Sequence, residues 1–192
     1  MSVLRWAQTS AVALFAVAVG TGISLFFTDP IQAGANAPKG VEIGLRFDVL
    51  SVVLLAFVAS ICWLVATYSI RNLAGQERTA RFGALLITAT ASLALLVTGA
   101  SLPVIALGWT LSGWVLSRLV LHTNNNDSRR AAGLVARRMV LSDALLWTGV
   151  IVGIAILPTV NRSDFAAADI AAGPATLVAV LLAAAAVVRS GL

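Results

Sequence analysis

The side chains of this chain that could do chemistry lie mostly inside apolar runs. Thr110, Trp114, Arg118 and His122 recur every fourth residue within residues 101–122. At about 3.6 residues per turn, that spacing draws one slowly drifting stripe on a helix. A hydroxyl, an indole, a guanidinium and an imidazole within hydrocarbon should face a neighbouring helix or a wet cavity, not lipid. Asp143 and Arg189 are the other ionisable groups inside apolar runs. Each of these charges costs about 2.5–3.5 kcal/mol at the centre of a lipid-facing helix and less near its end.

Arg118 stands about 6 Å from the end of its helix, and Asp143 a similar distance into the next helix from the same side. Antiparallel neighbours would hold them at one depth, so an Arg118–Asp143 pair is expected, with His122 at the rim. The chemistry such a group supports is proton relay. A histidine such as His122 can titrate near neutrality, and Arg118, which cannot, can bias a neighbour. A plainer reading stands beside this one. Arg118 snorkels to the headgroups, Asp143 balances it, and His122 is an interfacial histidine. Arg189, near the chain end, is expected to snorkel as well.

Composition narrows the rest. Of 192 residues, 59% are hydrophobic and 11% charged, whereas soluble domains carry about 25% charged residues. This is an integral membrane protein. The net charge of +5 and a pI near 11.0 come from arginines flanking apolar spans, so they speak of membrane orientation and not of nucleic acid. With one cysteine, Cys62, and one histidine, the chain can form no internal disulfide and no zinc or iron–sulfur centre. No cofactor and no metal site is expected.

Six apolar runs must position these residues. Residues 7–27 form the first. A signal peptide is the rival reading, with an A-x-A site at 35–37, but the run is longer than the usual h-region of about 7–15 residues. Residues 28–45 read as a Gly/Pro/Asn-rich connection with turns at Asp29-Pro30 and Pro38–Gly40. Helix two lies within 46–68, with Asp48 as a helix-start carboxylate. A polar loop, 69–81, precedes helix three at 82–100, and Gly99 with Pro103 turns the chain tightly into helix four. Residues 123–138 are the most polar segment, either a positive-inside anchor or a basic amphipathic start lying along the membrane. Helix five is expected at 139–157, a polar loop at 158–172, and helix six from Gly173-Pro174 to residue 188. Trp109 and Trp114 are too central for an aromatic belt and are expected to pack between helices. Nine basic residues fall on one side of this arrangement and three on the other. The positive-inside rule then puts both termini in the cytoplasm.

Several short motifs stand in a telling order: FDVLS at 47–51, Tyr68-Ser69, ARFGAL at 80–85, LGW at 107–109 and SD at 142–143, with VRSGL at 188–192. In this the chain resembles the antiporter-like proton-conducting membrane subunits, namely the L-type subunit of respiratory complex I and the Mrp-type cation/proton antiporters. The resemblance spans residues 44–192. It departs in two places: Thr110 stands where the respiratory subunits keep an acid after Gly-Trp, and Arg189 where they keep a broken-helix lysine. Those departures, with Leu121-His122, are more similar to the DabB membrane subunit of two-component inorganic-carbon transporters.

The resemblance implies an all-α polytopic membrane bundle of about six helices, the first part of an inverted-repeat antiporter-like fold. Residues 1–45 would be an N-terminal membrane helix and its connection, and 46–192 a partial proton-conducting domain: a fragment, a truncated frame or a split half. The implied function is a proton path in a proton-motive-force-coupled bicarbonate/CO2 uptake system of the inner membrane. It would be a transport subunit rather than an enzyme. Its implied partner is a peripheral zinc-binding, carbonic-anhydrase-like subunit, or other membrane subunits. The alternatives are a subunit of an NADH:quinone oxidoreductase or cation/proton antiporter complex, and a non-conducting scaffold. The resemblance carries Asp143 and Arg189 over as proton-path residues and Thr110 as a position.

Overall fold

A computed structural model describes residues 2–37, 41–73, 79–121, 126–167 and 173–191. Its elements are α1 (Ser2–Ser24), β1 (Ile31–Asn36), β2 (Glu42–Phe47), α2 (Val49–Asn72), α3 (Thr79–Thr98), α4 (Leu102–Val120), α5 (Asn126–Ile156), α6 (Arg162–Ala167) and α7 (Pro174–Ser190). Five helices (α1 to α5) are long and apolar enough to cross a membrane, and α7 is apolar but shorter. The chain is a polytopic helical membrane bundle, as expected.

The helices run up and down in two groups of three. In the first, Ala7, Ala66 and Leu86 bring α1, α2 and α3 together. Leu4, Ala7, Ala11 and Ala18 give α1 its buried stripe, at the spacing one helix face requires. In the second group, Ala106, Leu146, Val150 and Ala185 bring α4, α5 and α7 together. Helices α3 and α4 join the groups. Small residues set these contacts because apolar burial gains nothing in lipid, and close backbone approach is what holds membrane helices together. Gly108 is the tightest case: a Cβ there would stand 2.5 Å from the Leu96 nitrogen and 2.8 Å from its Cα. Large apolar side chains such as Phe57, Leu64 and Ile151 point outward, toward the hydrocarbon.

Three expectations are corrected. The connection at 28–45 contains a hairpin whose strands pair in register from Ile31↔Phe47 to Asn36↔Glu42. Its sequence hides this: β1 is Ile-Gln-Ala-Gly-Ala-Asn, with one β-branched residue and no sustained alternation. Helix five begins at Asn126 instead of 139 and runs 31 residues, about 46 Å. Ala, Leu and Arg sustain a helix well in water, so the basic segment rises out of the membrane as part of α5. The segment at 158–172 includes the short helix α6.

The hairpin side of the bundle is knitted together. Ala100 N–H donates to the Gly44 carbonyl at 3.1 Å, Leu102 N–H to Val160 O at 3.0 Å, and Arg162 N–H to Ala100 O at 2.8 Å. Glu42 N–H donates to Asn161 Oδ1 at 2.9 Å, and the buried Ser101 hydroxyl donates to Glu42 O at 2.6 Å. Beneath this seam Asp48 caps α2, as its sequence position suggests: its Oδ1 accepts from Ser51 N–H at 2.8 Å and Ser51 O–H at 2.9 Å. Arg162 bonds the same carboxylate at 3.2 Å, Ser51 Oγ at 2.9 Å and Val97 O at 3.0 Å. Burial pushes the Asp48 carboxyl up, but the Ser51 amide and hydroxyl, Arg162 and Arg46 outweigh it and hold it below the usual carboxylate value.

Candidate functional site

Opposite the hairpin side, α4, α5 and α7 converge on one charged pair. Antiparallel packing sets the level: Gly113 lies beside Met139 and Arg189, and Gly149 beside Leu181 and Leu182. On this frame α5 turns Asp143 toward α7, and α7 turns Arg189 back toward α4 and α5. Arg189 NH1 stands 3.7 Å from Asp143 Oδ1, with the two side chains 16% and 20% exposed. Both atoms are buried and neither has a hydrogen-bond partner among the described residues. Arg189 NH2 donates to Ser112 Oγ at 2.7 Å, and the guanidinium lies 4.4 Å above the Trp109 ring. Gly113 leaves the room this needs: a Cβ there would meet both guanidinium nitrogens and Met139 Sδ at 3.2–3.3 Å.

Two indole–hydroxyl bonds bolt α4 to α5 around the pair. Trp109 Nε1–H donates to Ser142 Oγ at 3.3 Å, and Trp147 Nε1–H donates to Thr110 Oγ1 at 3.0 Å. Ser142, itself fully buried, donates onward to the Ala185 carbonyl of α7 at 2.9 Å. A half-buried acid facing a half-buried cation, which Ser112 and Trp109 hold on α4, can hold or pass a proton.

The expected Arg118–Asp143 pair does not form: Asp143 faces Arg189. Arg118 is exposed and lies 5.1 Å from the Trp114 ring centroid, and Trp114 is itself 51% exposed instead of packed between helices. A four-residue step advances about 40° per repeat. By Arg118 the stripe has therefore drifted about 80° from Thr110, enough to leave the α5 interface. Arg189 does not snorkel but turns inward. His122 lies outside the described residues. The structure brings together Asp143 and Arg189, with Thr110 of α4 bonded to Trp147, one turn along α5 from Asp143. Trp109 packs between helices as expected. Ser112, Gly113 and Ser142 were missed as site residues. The signal available was small and hydroxylic residues flanking Trp109 and Asp143.

Residues 37–83 match the family described as NADH-Ubiquinone oxidoreductase (complex I), chain 5 N-terminus. That segment carries FDVLS and Tyr68-Ser69. A search of curated proteins finds no match. Among solved structures, a chain of the membrane-bound sulfane sulfur reductase (MBS), an archaeal respiratory membrane complex, superposes with a TM-score of 0.81 over 96% of this chain at 12% identity. The two share a fold. This chain spans 38% of the length of that subunit, so the likeness reaches one part of it.

Proposed function

We propose that the chain is a proton-path membrane subunit of a respiratory, complex I-like or cation/proton antiporter assembly. The observation that carries this reading is the half-buried Asp143–Arg189 pair, 3.7 Å apart between α4, α5 and α7. Ionisable groups are expensive at that depth and are kept where they work. The matched family and the structurally similar chain both carry respiratory names, which favours this over inorganic-carbon uptake. The carbon reading, with its peripheral zinc-binding carbonic-anhydrase-like partner, keeps one specific observation. Thr110, at the position where respiratory subunits hold an acid, is engaged by Trp147 as a hydroxyl. In either case the chain is a transport subunit that works with other subunits. It sits in the inner membrane with its Arg-rich side and both termini in the cytoplasm, and residues 46–192 form its partial conducting domain.

The test is proton flux in membrane vesicles carrying the complete assembly. Asp143→Asn and Arg189→Ala should each lower flux about tenfold or more, in the range general for a positioned proton-transfer group. Unchanged flux would make the chain a scaffold. Co-purification separates the two assemblies: respiratory subunits support the first reading, a zinc protein the second.

A further inference from the structure

Among the described residues, a hydroxyl, a ring face and a carboxylate meet the Arg189 guanidinium, but they do not hold it equally. Ser112 accepts a short bond of 2.7 Å, and the Trp109 ring lies 4.4 Å beneath the guanidinium. Asp143 Oδ1, at 3.7 Å, is beyond hydrogen-bond reach. The cation is therefore seated by two neutral groups of α4, and the carboxylate only faces it. A guanidinium stacks on an indole only while the ring keeps its plane toward it, so something must fix the Trp109 ring. That something is Ser142. Its oxygen accepts from the indole N–H, and its own proton goes to the Ala185 carbonyl. Ala185 is the residue whose carbonyl also receives the helical amide of Arg189, four residues on. One hydroxyl thus ties the ring on α4 to the very turn of α7 that carries the cation. Ser142 and Asp143 are adjacent on α5 and about 100° apart around it, so the first can anchor while the second faces the charge.

We propose that Trp109, locked by Ser142, is the positioning residue that seats Arg189 on α4, so that the arginine stays in place while Asp143 gains or loses a proton. The role given to Asp143 rests on the proton-path reading above; the seat itself does not. The competing explanation is plain packing, since Trp109 also lines the Ala106–Leu146–Ala185 cluster.

The experiment labels this chain alone with 5-fluorotryptophan, joins it to unlabelled partners in its native assembly, and follows its five indoles by fluorine NMR. Loss of a line in Trp109→Phe assigns Trp109. Arg189→Gln should move that line and leave Trp114 alone, whereas Arg118→Gln should move only Trp114. Ser142→Ala should broaden the Trp109 line. Flux in vesicles gives the second arm. Trp109→Leu, which removes the ring face, should lower flux roughly tenfold. Trp109→Phe, which keeps the face and loses one hydrogen bond, should cost about fivefold or less. In an Arg189→Gln background Trp109→Leu should add nothing. A Trp109 line indifferent to Arg189→Gln overturns the seat, and so does Phe being as damaging as Leu. If the line responds to Arg189→Gln while Asp143→Asn and Arg189→Gln both leave flux intact, the seat stands and the proton-path reading falls.

Discussion

Removing either member of the Asp143–Arg189 pair should destabilise the bundle, and removing both should cost less than the sum. Two unit charges 3.7 Å apart attract by about 4.5 kcal/mol at an effective dielectric of about 20. Much of that is offset. Each group gave up hydration to reach the site, and the contact is too long for a hydrogen bond. Arg189 also keeps its Ser112 bond and the Trp109 face when the carboxylate goes. Polar contacts between membrane helices couple by about 0.6 kcal/mol on average and up to about 1.7, so the coupling expected here is about 1–2 kcal/mol. Asp143→Asn alone should cost about 1–3 kcal/mol, because it leaves a buried guanidinium without its counter-charge. The assay is reversible unfolding in mixed micelles for parent, Asp143→Asn, Arg189→Gln and the double variant. Additivity within about 0.5 kcal/mol, the scatter expected of independent sites, would refute a direct interaction between the two side chains.

Other expectations follow from the same geometry. Gly108→Ala puts a methyl against the Leu96 backbone, which cannot rotate away, so it should cost about 1–3 kcal/mol or more; stability like the parent's would mean that α3 and α4 are further apart than described. Thr110→Val and Trp147→Phe each remove one end of a single bond, should cost about 1 kcal/mol each, and should be non-additive in the same unfolding assay. Asp48 has its carboxyl held below the usual value, so its contribution is complete above the unfolded value of about 3.9 and is lost as pH falls through the lower folded one. Thermal melts below about pH 4 should show Asp48→Asn flattening that acid limb, and parallel curves for parent and variant would contradict the capped, ion-paired carboxylate.

The bundle was legible because hydrocarbon imposes a length and an apolarity on any span, and residues 49–72 or 79–98 display both directly. Asp48 was legible for a local reason: a cap is decided within three residues. The site was legible only in its members. Asp143 and Arg189 announce themselves by being charged where charge is costly, but which of Arg118 and Arg189 meets the acid depends on helix rotation. A fourfold spacing drifts enough to leave that undecided. Ser142 and Gly113 carry no signal alone; their roles exist only once α7 is placed against α4 and α5. The hairpin escaped because backbone pairing holds it, with Gly34 opposite Gly44, and a glycine pair leaves no hydrophobic alternation to read.

The seam on the hairpin side dictates an order of assembly. Its bonds join segments 59 and 119 residues apart, and the later partner, Asn161, follows the fifth span. Until α5 has folded and brought that residue to the hairpin, the amide of Glu42 lacks its acceptor and Arg162 cannot reach Asp48. The first four helices can pack through their own contacts, and the bonds of Asn161 and Arg162 are the last to close the seam. A substitution that delays that segment should leave a chain whose hairpin is held only by Ala100 and Ser101, more sensitive to proteases at the hairpin.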